Sequence, residues 1–339
     1  MSILLLEGFD DGLWTSRTGG NRTTTHVSSS YGLHGNGGRV GDTTGINMSV
    51  GIPSSGNEGT VGFAFKIVDG IGGTMMATWR TSYMYLAFDE PGSRVQLHIT
   101  CTSTATVESY SPGGSVAAGE WHYVEVQAKA GLSSDGTWAW WLDGTLIGSG
   151  TGADYGSVND SSVDIGGSAT GDIDDMYIDD IYVIDALGGV NDDHLGPIEV
   201  VTLLPSGNGN SSVLVGSDAD STDNYLLVDN NASAPPVTTE YVGSATEGDK
   251  DTYAMGDLTG TPVVAGLVVA LYAVKTDAGA KFMRPVVRTS STDYPGDSEG
   301  LAETYSLHEH VWDQNPNTSA AWLYGAVNGM EVGQEVRDS

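Results

Sequence analysis

Three tryptophans in one short segment, Trp138, Trp140 and Trp141, are the side chains whose type and spacing best suit ligand binding. Alternate side chains of a β-strand share a face, so Trp138 and Trp140 would point one way and Trp141 the other. An exposed indole offers a flat apolar surface with a polar edge, which suits stacking on a sugar ring. The segment therefore predicts a glycan-binding platform. One alternative stays open, in which a second sheet and a neighbouring subunit cover the two faces.

A cluster of aspartates, Asp172, Asp174 and Asp175, could do two kinds of chemistry. Asp172 and Asp174 would share a face of a strand, as a catalytic pair of carboxylates requires. Acidic loops also supply oxygen ligands to calcium, which takes about six to eight of them. A third interpretation, which we favour, makes these residues solvent-facing. We expect no cofactor, and a structural calcium ion held by this cluster is the open alternative.

The remaining sequence offers little support for an enzyme. It contains neither the HExxH motif of zinc peptidases nor a strand of the form Glu-x-Asp-x-x-Glu, which would place two carboxylates in one cleft. Cys101 is the one cysteine, so an intramolecular disulfide and a cysteine-based zinc cluster are both excluded. We therefore predict no catalytic residues.

The charge of the chain limits its partners. Its 339 residues include 44 acidic and 13 basic ones, for a formal net charge of −31. Such a surface repels the phosphates of nucleic acids and of acidic membranes, so neither is an expected partner. The apolar run at the N-terminus, Ile3–Leu6, is short and has no basic residues before it, so we expect no signal peptide and no insertion into a membrane.

The elements that must position these residues are strands. Val61, Phe63, Phe65 and Ile67 alternate with small or polar residues, and similar runs recur along the chain between clusters of Gly, Asp, Asn and Ser. The pattern predicts an all-β protein with very little helix, made of two tandem antiparallel β-sandwich (jelly-roll) domains. A polar, Gly-rich stretch that ends at Pro197 predicts a linker at 191–197, between a first domain at 1–190 and a second at 198–339.

The first domain resembles concanavalin A-like, laminin-G-like jelly rolls. The resemblance is carried by four segments in order: EGFDD at 7–11, GEWHYVEV at 119–126, GTWAWWLDG at 136–144 and IDDMYIDD at 173–180. It implies a fold that hosts lectins, hydrolases and adhesion modules alike, so it says little about activity.

The second domain resembles modules of tailed-bacteriophage virion proteins. The carrying segments are 223–225, 241–253, 273–279, 312–322 and 327–333, of which WDQNPNTSAAW at 312–322 is the most distinctive. This resemblance implies a structural protein of the virion, which would be made in the host cytoplasm and incorporated into the particle.

Together these features predict a non-enzymatic virion surface protein, a tail fibre, tail appendage or head fibre, that binds host-surface polysaccharide. The expected partners are further copies of the chain, with a trimer favoured, and other virion proteins. Many weak sites on one particle would then act together through their high effective concentration. Two alternatives stay open: an architectural capsid decoration protein without a ligand, and a polysaccharide depolymerase on the jelly-roll scaffold.

Overall fold

The computed structural model describes residues 3–11, 27–40, 48–51, 58–68, 74–79, 84–89, 92–101, 105–129, 131, 134–154, 162–165, 176–186, 188–229 and 238–338. The fold is all-β, as predicted: antiparallel sheets account for nearly all the regular structure. Among the described residues the single α-helix is α1 (Tyr324–Asn328), and a 3₁₀ turn spans Asn224–Leu227. No helix in this part of the chain is long and apolar enough to cross a membrane.

The chain divides into two compact units, and the later boundary between them falls between Val200 and Val201. The predicted linker at 191–197 was therefore misplaced, because these residues belong to the first unit. The polar, Gly-rich composition that suggested a free linker has another cause. The stretch packs against a sheet and binds it through backbone N–H groups, so it needs few apolar side chains of its own.

The described strands of the first unit are β1 (Ile3–Glu7), β2 (Val27–Ser28), β3 (Gly37–Val40), β4 (Met48–Gly51), β5 (Glu58–Ile67), β6 (Thr74–Trp79), β7 (Met84–Asp89), β8 (Arg94–Ile99), β9 (Val107–Tyr110), β10 (Trp121–Lys129), β11 (Gly136–Leu142), β12 (Thr145–Ala153), β13 (Ser162–Ile165) and β14 (Met176–Asp185). They form two antiparallel sheets. The large sheet has the order β12-β11-β10-β5-β14-β3-β2, with β1 also paired to β14. The small sheet has the order β4-β13-β6-β7-β8-β9.

The inner faces of the two sheets form the core of the first unit. Val124 and Val126 of β10 and Phe63 of β5 lie side by side in the large sheet, and all are fully buried. The small sheet contributes Val95 and Leu97 of β8, which are also fully buried. Strand alternation explains this core directly, because every second residue of these strands is apolar.

The outer face of the large sheet is covered by the strap, which we define as residues 188–200. Along this face Trp141, Glu125, Gly62 and Tyr182 form one row across four neighbouring strands. The ring of Tyr182 lies over Gly62, where a Cβ would come within 2.2 Å of it, and its hydroxyl donates to Glu125 Oε1. The same oxygen accepts the backbone N–H of Gly196, 2.8 Å away, and so binds the strap to the sheet.

A bulge in β14 holds two further buried carboxylates. The register between β14 and β5 shifts between Asp179 and Tyr182, and Asp180 has a positive φ of 48° there. Asp179 Oδ2 accepts the N–H groups of Leu33 and His34 at 2.8 and 3.0 Å. Asp180 Oδ1 accepts the N–H of Val200 at 2.8 Å, which fastens the end of the strap.

The second unit contains β15 (Pro205–Ser212), β16 (Val215–Gly216), β17 (Val242–Gly243), β18 (Lys250–Met255), β19 (Val263–Val264), β20 (Leu267–Ala273), β21 (Phe282–Thr289), β22 (Thr292–Pro295), β23 (Glu299–Gly300), β24 (Ser306–Trp312), β25 (Trp322–Leu323) and β26 (Glu331–Arg337). A six-stranded sheet has the order β15-β18-β26-β21-β22, with β23 also paired to β21. Three two-stranded pairs, β16-β17, β19-β25 and β20-β24, complete the unit.

The core of the second unit joins the six-stranded sheet to the smaller elements. Val287 of β21 and Val332 of β26 pack with Val269 of β20 and with Trp312 and Trp322. Trp322 Nε1 also donates to the carbonyl oxygen of Trp312, at 2.9 Å. The two tryptophans of the distinctive 312–322 segment are therefore buried core residues.

Asp251 of β18 is the polar centre of this unit and is fully buried. Its Oδ1 accepts the N–H groups of Val213 and Leu214, at 2.5 and 2.9 Å. Its Oδ2 accepts Asn224 Nδ2 at 2.6 Å and the Tyr253 hydroxyl at 3.1 Å. One carboxylate thus fixes the chain after β15 and the start of the 3₁₀ turn.

Replacing Asp251 with alanine removes the acceptor of four donors, several of them buried, each worth about 1–3 kcal/mol when left unsatisfied. We expect the free energy of unfolding of the second unit to fall by about 3 kcal/mol or more, as measured by urea denaturation. Asp257→Ala, at an exposed position of the same unit, is the control. Equal stability of the two variants would contradict the role assigned to Asp251.

The pH dependence of the unfolding free energy tests the titration of the buried carboxylates in the β14 bulge. Burial and the charge of Asp180 raise the pKa of Asp179 from 3.8 to about 7. The backbone N–H groups that its carboxylate accepts act in the opposite direction, but their effect on the pKa is smaller. Between these values the folded chain keeps a proton that the unfolded chain has lost, so stability falls as pH rises through this range. The Asp180 and His34 pKa values are also raised, which adds to the same trend.

We expect Asp179→Asn to flatten the slope of unfolding free energy against pH by up to about 1.4 kcal/mol per pH unit between about pH 4 and 7. Thermal or urea unfolding at several pH values measures this slope. Glu120→Gln changes an exposed carboxylate of the same unit and controls for general charge repulsion. If both variants keep the wild-type slope, Asp179 does not titrate in this range.

Candidate functional site

Two of the three tryptophans predicted to form a sugar platform are buried, and the prediction was wrong for them. Trp140 has no exposed surface, and its Nε1 donates to Ser109 Oγ of the small sheet at 2.9 Å. Trp141 is 8% exposed, because the His194 ring of the strap stacks on it with centroids 4.0 Å apart and planes 10° from parallel. The chain's own second sheet and strap therefore cover the two faces.

Trp138 is the one member of the trio that remains half-buried. Its indole lies against Gly148 and Gly150 of the edge strand β12, where added Cβ atoms would come within 3.2 and 2.7 Å of the ring. These glycines give the ring room to lie flat at the edge of the large sheet. A single tryptophan in this setting is a smaller surface than the predicted platform.

The aspartates predicted to form a carboxylate pair or a calcium site, Asp172, Asp174 and Asp175, lie outside the described residues. Within the part of the chain that the structure describes, no group of three or more His, Cys, Asp or Glu side chains is placed to hold a metal ion. The calcium prediction for this cluster stays a prediction.

The outer face of the small sheet carries a different set of candidate residues. On β7, β8 and β9 the apolar side chains point to the core, and the alternate side chains form a half-exposed surface of aromatic and polar groups. We call this surface the β7–β9 strip. It consists of Tyr85, Ala87, Asp89, Arg94, Gln96, His98, Glu108 and Tyr110.

The first row of the strip runs through Tyr85, His98 and Glu108, which are level with one another on the three strands. The rings of Tyr85 and His98 stack with centroids 4.6 Å apart and planes 14° from parallel. His98 Nε2 lies 3.0 Å from Thr100 Oγ1, and its Nδ1 lies 3.7 Å from Glu108 Oε1. Burial and the Glu108 charge raise the pKa of Tyr85, so its hydroxyl is neutral at pH 7 and can donate a hydrogen bond.

Arg94 braces the other end of the strip. Its Nε donates to Asp89 Oδ2 at 2.7 Å, and its guanidinium carbon lies 4.1 Å from the centroid of the Tyr110 ring. The Tyr110 hydroxyl donates to Glu108 Oε2 at 3.3 Å. Tyr110 is 36% exposed, so one aromatic ring is held in a fixed orientation while part of it remains open to solvent.

The strip is suited to binding sugars. It combines two tyrosine rings with amide, imidazole, carboxylate and guanidinium groups, and the small side chain of Ala87 lies between Tyr85 and Asp89 on β7. Apart from its histidine the strip carries two carboxylates and one guanidinium, and Arg94 is already paired with Asp89. Its charge therefore favours neutral sugars over uronates.

The strip is poorly suited to glycoside hydrolysis by a carboxylate pair. Asp89 is level with Arg94, and Glu108 is level with His98 on the far side of β8. Four residues along the strands and two strand spacings across them separate the two backbones by on the order of 15 Å. Catalytic carboxylates lie about 5–9.5 Å apart, so these two do not form such a pair.

A second polar group in the second unit has the contacts of a hydrolytic triad. His308 Nε2 lies 3.0 Å from Ser306 Oγ, and His308 Nδ1 lies 2.8 Å from Glu299 Oε2. His308 is 6% exposed, however, and Ser306 lies two residues before it in the same strand. Nucleophilic serines of α/β-hydrolases sit on an exposed strand-to-helix turn. We interpret these contacts as a bridge from β24 to β23.

The neighbouring segment Gly296–Gly300 reads Gly-Asp-Ser-Glu-Gly, which has the Gly-x-Ser-x-Gly form of a nucleophile elbow. It connects β22 to β23, so no helix follows it. The motif therefore lacks the strand-turn-helix setting that would expose its serine.

The strip was not predicted from the sequence, although the sequence contains a signal for it. Val95, Leu97 and Ile99 alternate with Arg94, Gln96 and His98, so one face of β8 is apolar and the other is polar. Strand alternation alone does not tell which faces remain uncovered, and the larger tryptophans of β11 gave the more conspicuous pattern.

Comparisons with known proteins leave the family open. No protein-family model matches the chain, and no curated protein matches it in sequence. Among solved structures, alginate lyase Aly36B is similar at 13% identity and a TM-score of 0.39, over 53% of this chain and 96% of that one. Domain 4 of AbnA, a GH43 extracellular arabinanase from Geobacillus stearothermophilus, matches at 13% identity and a TM-score of 0.40, over 54% of this chain and 92% of that one.

The endo-beta-1,4-glucuronan lyase from the fungus Trichoderma reesei matches at 16% identity and a TM-score of 0.35, over 47% of this chain and 85% of that one. At this level of similarity these structures say nothing about what the present chain binds.

The contacts of Arg94 with Asp89 and with the Tyr110 ring can be tested without a ligand. Arg94→Met removes the ion pair with Asp89 and the contact with the Tyr110 ring, both at half-exposed positions. We expect a loss of about 0.5–1 kcal/mol in unfolding free energy, measured by urea denaturation. A double-mutant cycle with Tyr110→Leu should give a coupling of about 0.5 kcal/mol. Zero coupling would mean that Arg94 does not hold the ring.

Proposed function

We propose that the protein is a non-enzymatic surface protein of a bacteriophage particle that binds neutral host-surface polysaccharide through the β7–β9 strip. The observation that carries the binding proposal is the braced Tyr110 ring beside the Tyr85–His98 stack, on an otherwise polar sheet face. Aromatic rings stack on the apolar faces of sugars, and the polar groups around them can bind the hydroxyls.

The virion assignment rests on the resemblance of the second half to modules of tailed-phage proteins. A particle carries many copies of such a protein, so weak individual sites would give strong attachment in combination. We further propose that the chain forms a homo-oligomer, with a trimer favoured, and contacts other virion proteins. An architectural decoration protein without a ligand is the alternative, and it predicts no glycan binding.

The depolymerase alternative is less well supported by the strip. The carboxylates Asp89 and Glu108 are too far apart for glycoside hydrolysis. A lyase acting on uronates would need a positive site for the substrate carboxylate, whereas the arginine of the strip is already paired with Asp89. Incubation with bacterial capsular polysaccharide, followed by assays for reducing ends and for unsaturated products, tests this alternative. Release of products would overturn the non-enzymatic assignment.

A glycan array with the full chain tests the binding proposal, with affinities for any neutral glycan found there measured by calorimetry. Tyr110→Ala removes the exposed ring of the strip, and we expect binding to weaken about tenfold. Tyr324→Ala removes a tyrosine of similar exposure in the second unit and should leave binding unchanged.

The Trp138→Phe variant tests whether a glycan binds at the strip or at the edge of the large sheet. Unchanged binding in this variant supports the strip, whereas loss of binding would move the site to Trp138. Failure of the full chain to bind any neutral glycan, or equal binding by Tyr110→Ala and Tyr324→Ala, would overturn the proposal.

Light scattering on the full chain tests the proposed assembly separately. A discrete mass of three chains is expected. A stable monomer would contradict the trimer and favour a subunit that assembles only on the particle.

A further inference from the structure

A loop of the second unit, residues 216–224, gathers acidic side chains around one buried amide. Asp218, Asp220 and Asp223 are exposed, whereas Asn224 is fully buried at the start of the 3₁₀ turn. Acidic side chains in a loop do not by themselves indicate a site. Here the buried amide of Asn224 is a second feature of the loop.

The orientation of the Asn224 amide is fixed by its surroundings. Its Nδ2 lies 2.8 Å from the carbonyl oxygen of Leu214 and 2.6 Å from Asp251 Oδ2. The carbonyl oxygen can only accept hydrogen bonds, and Asp251 Oδ2 already accepts one from Tyr253, so the donating nitrogen of Asn224 must face both. Asn224 Oδ1 is thereby turned away from them, and it is buried with no hydrogen-bond partner among the described residues.

The free oxygen faces the same space as a carboxylate. A Cβ built on Gly216 would lie 2.5 Å from Asp218 Oδ1 and 3.3 Å from Asn224 Oδ1, and a methyl carbon of Leu227, 2.4 Å away, closes another side of this space. Two oxygens that can only accept, one of them charged, therefore border the space in front of Gly216. An unsatisfied buried acceptor is costly, and an adjacent carboxylate increases the cost, so a positive or donating group between the two oxygens would stabilise the loop.

We propose that this space binds a calcium ion. Asn224 Oδ1 and the Asp218 carboxylate would be its side-chain ligands, and backbone carbonyls of the loop and water would complete the shell. An all-oxygen site that mixes amide and carboxylate ligands suits Ca²⁺ and offers nothing to metals that prefer nitrogen or sulfur. With one carboxylate ligand the affinity should be weak, with a dissociation constant on the order of 0.1–1 mM.

The site would connect the loop to the polar centre of the unit. Asn224 is bonded to Asp251, which also holds the chain after β15. A ligand that binds only the folded state stabilises it, so calcium should raise the melting temperature of the second unit. It should also protect the 212–228 segment from hydrogen exchange, because the loop is then tied at both ends.

The test uses the full chain and Ca²⁺ itself. Thermal unfolding and hydrogen exchange are followed from chelator to about 10 mM calcium, some tenfold above the weaker end of the expected affinity range. The wild type should show a rise of several degrees and slower exchange at 212–228. Asp218→Asn should lose both responses, or need at least about tenfold more calcium. Glu303→Gln, at an exposed position of the same unit, should behave as the wild type.

The variant itself should fold. The Asp218 side chain accepts a long hydrogen bond, 3.4 Å, from the Asp220 N–H, and little stability depends on such a contact at an exposed position. In chelator we expect Asp218→Asn to melt no lower than the wild type, since it removes a negative charge beside Asn224 Oδ1. Hydrogen exchange is measured for each segment, so slower exchange at 212–228 also distinguishes this site from any calcium site in the first unit.

Identical calcium responses in the wild type and Asp218→Asn would overturn the proposal, and the space would then be assigned to water. The proposal also fails if calcium leaves exchange at 212–228 unchanged. A response to Mg²⁺ equal to that to Ca²⁺ would overturn the assignment to calcium.

Discussion

Buried carboxylates that accept backbone N–H groups are the interaction on which both units depend. With 44 acidic residues and 13 basic ones, most carboxylates have no cation to pair with, and those inside the protein need other donors. Glu125 and Asp180 accept N–H groups of the strap, and Asp251 accepts those of the chain after β15. The irregular segments, whose N–H groups have no ladder partner, are fastened to the sheets in this way.

Glycines decide where the large aromatic rings lie. Gly62 lets the Tyr182 ring cross β5 and reach Glu125, and Gly150 lets the Trp138 indole lie on the edge strand β12. A side chain at either position would meet a ring within 2.8 Å, so the ring would have to move. The aromatic residues of the large sheet are thus used mainly for packing. The rings of the small sheet, which no strap covers in the described residues, remain available to a ligand.

The β7–β9 strip and the 216–224 loop illustrate two ways in which an acidic chain can present groups to a ligand, one suited to a neutral molecule and the other to a cation. The strip neutralises part of its charge internally, through the Arg94–Asp89 pair, and presents rings and hydrogen-bonding groups to a neutral ligand. The loop differs, because Asp218 and Asn224 direct acceptors toward one space, and Asn224 Oδ1 has no hydrogen-bond donor among the described residues. The first arrangement favours sugars and the second a cation, and each follows from the balance of local charges.

The all-β architecture and the identity of the core strands follow from the amino-acid pattern alone, because alternation of apolar residues is a local property of each strand. The pattern also contained the two faces of β8, with Val95 and Leu97 on one and Arg94 and Gln96 on the other. Which of these faces are covered depends on contacts between distant parts of the chain. Trp141 is buried by His194, more than fifty residues along the chain, and no local pattern reports such a contact. The linker was misplaced for the same reason, since its contacts are with residues far away in the sequence. Its backbone N–H groups donate to Glu125 and Tyr182 of distant strands.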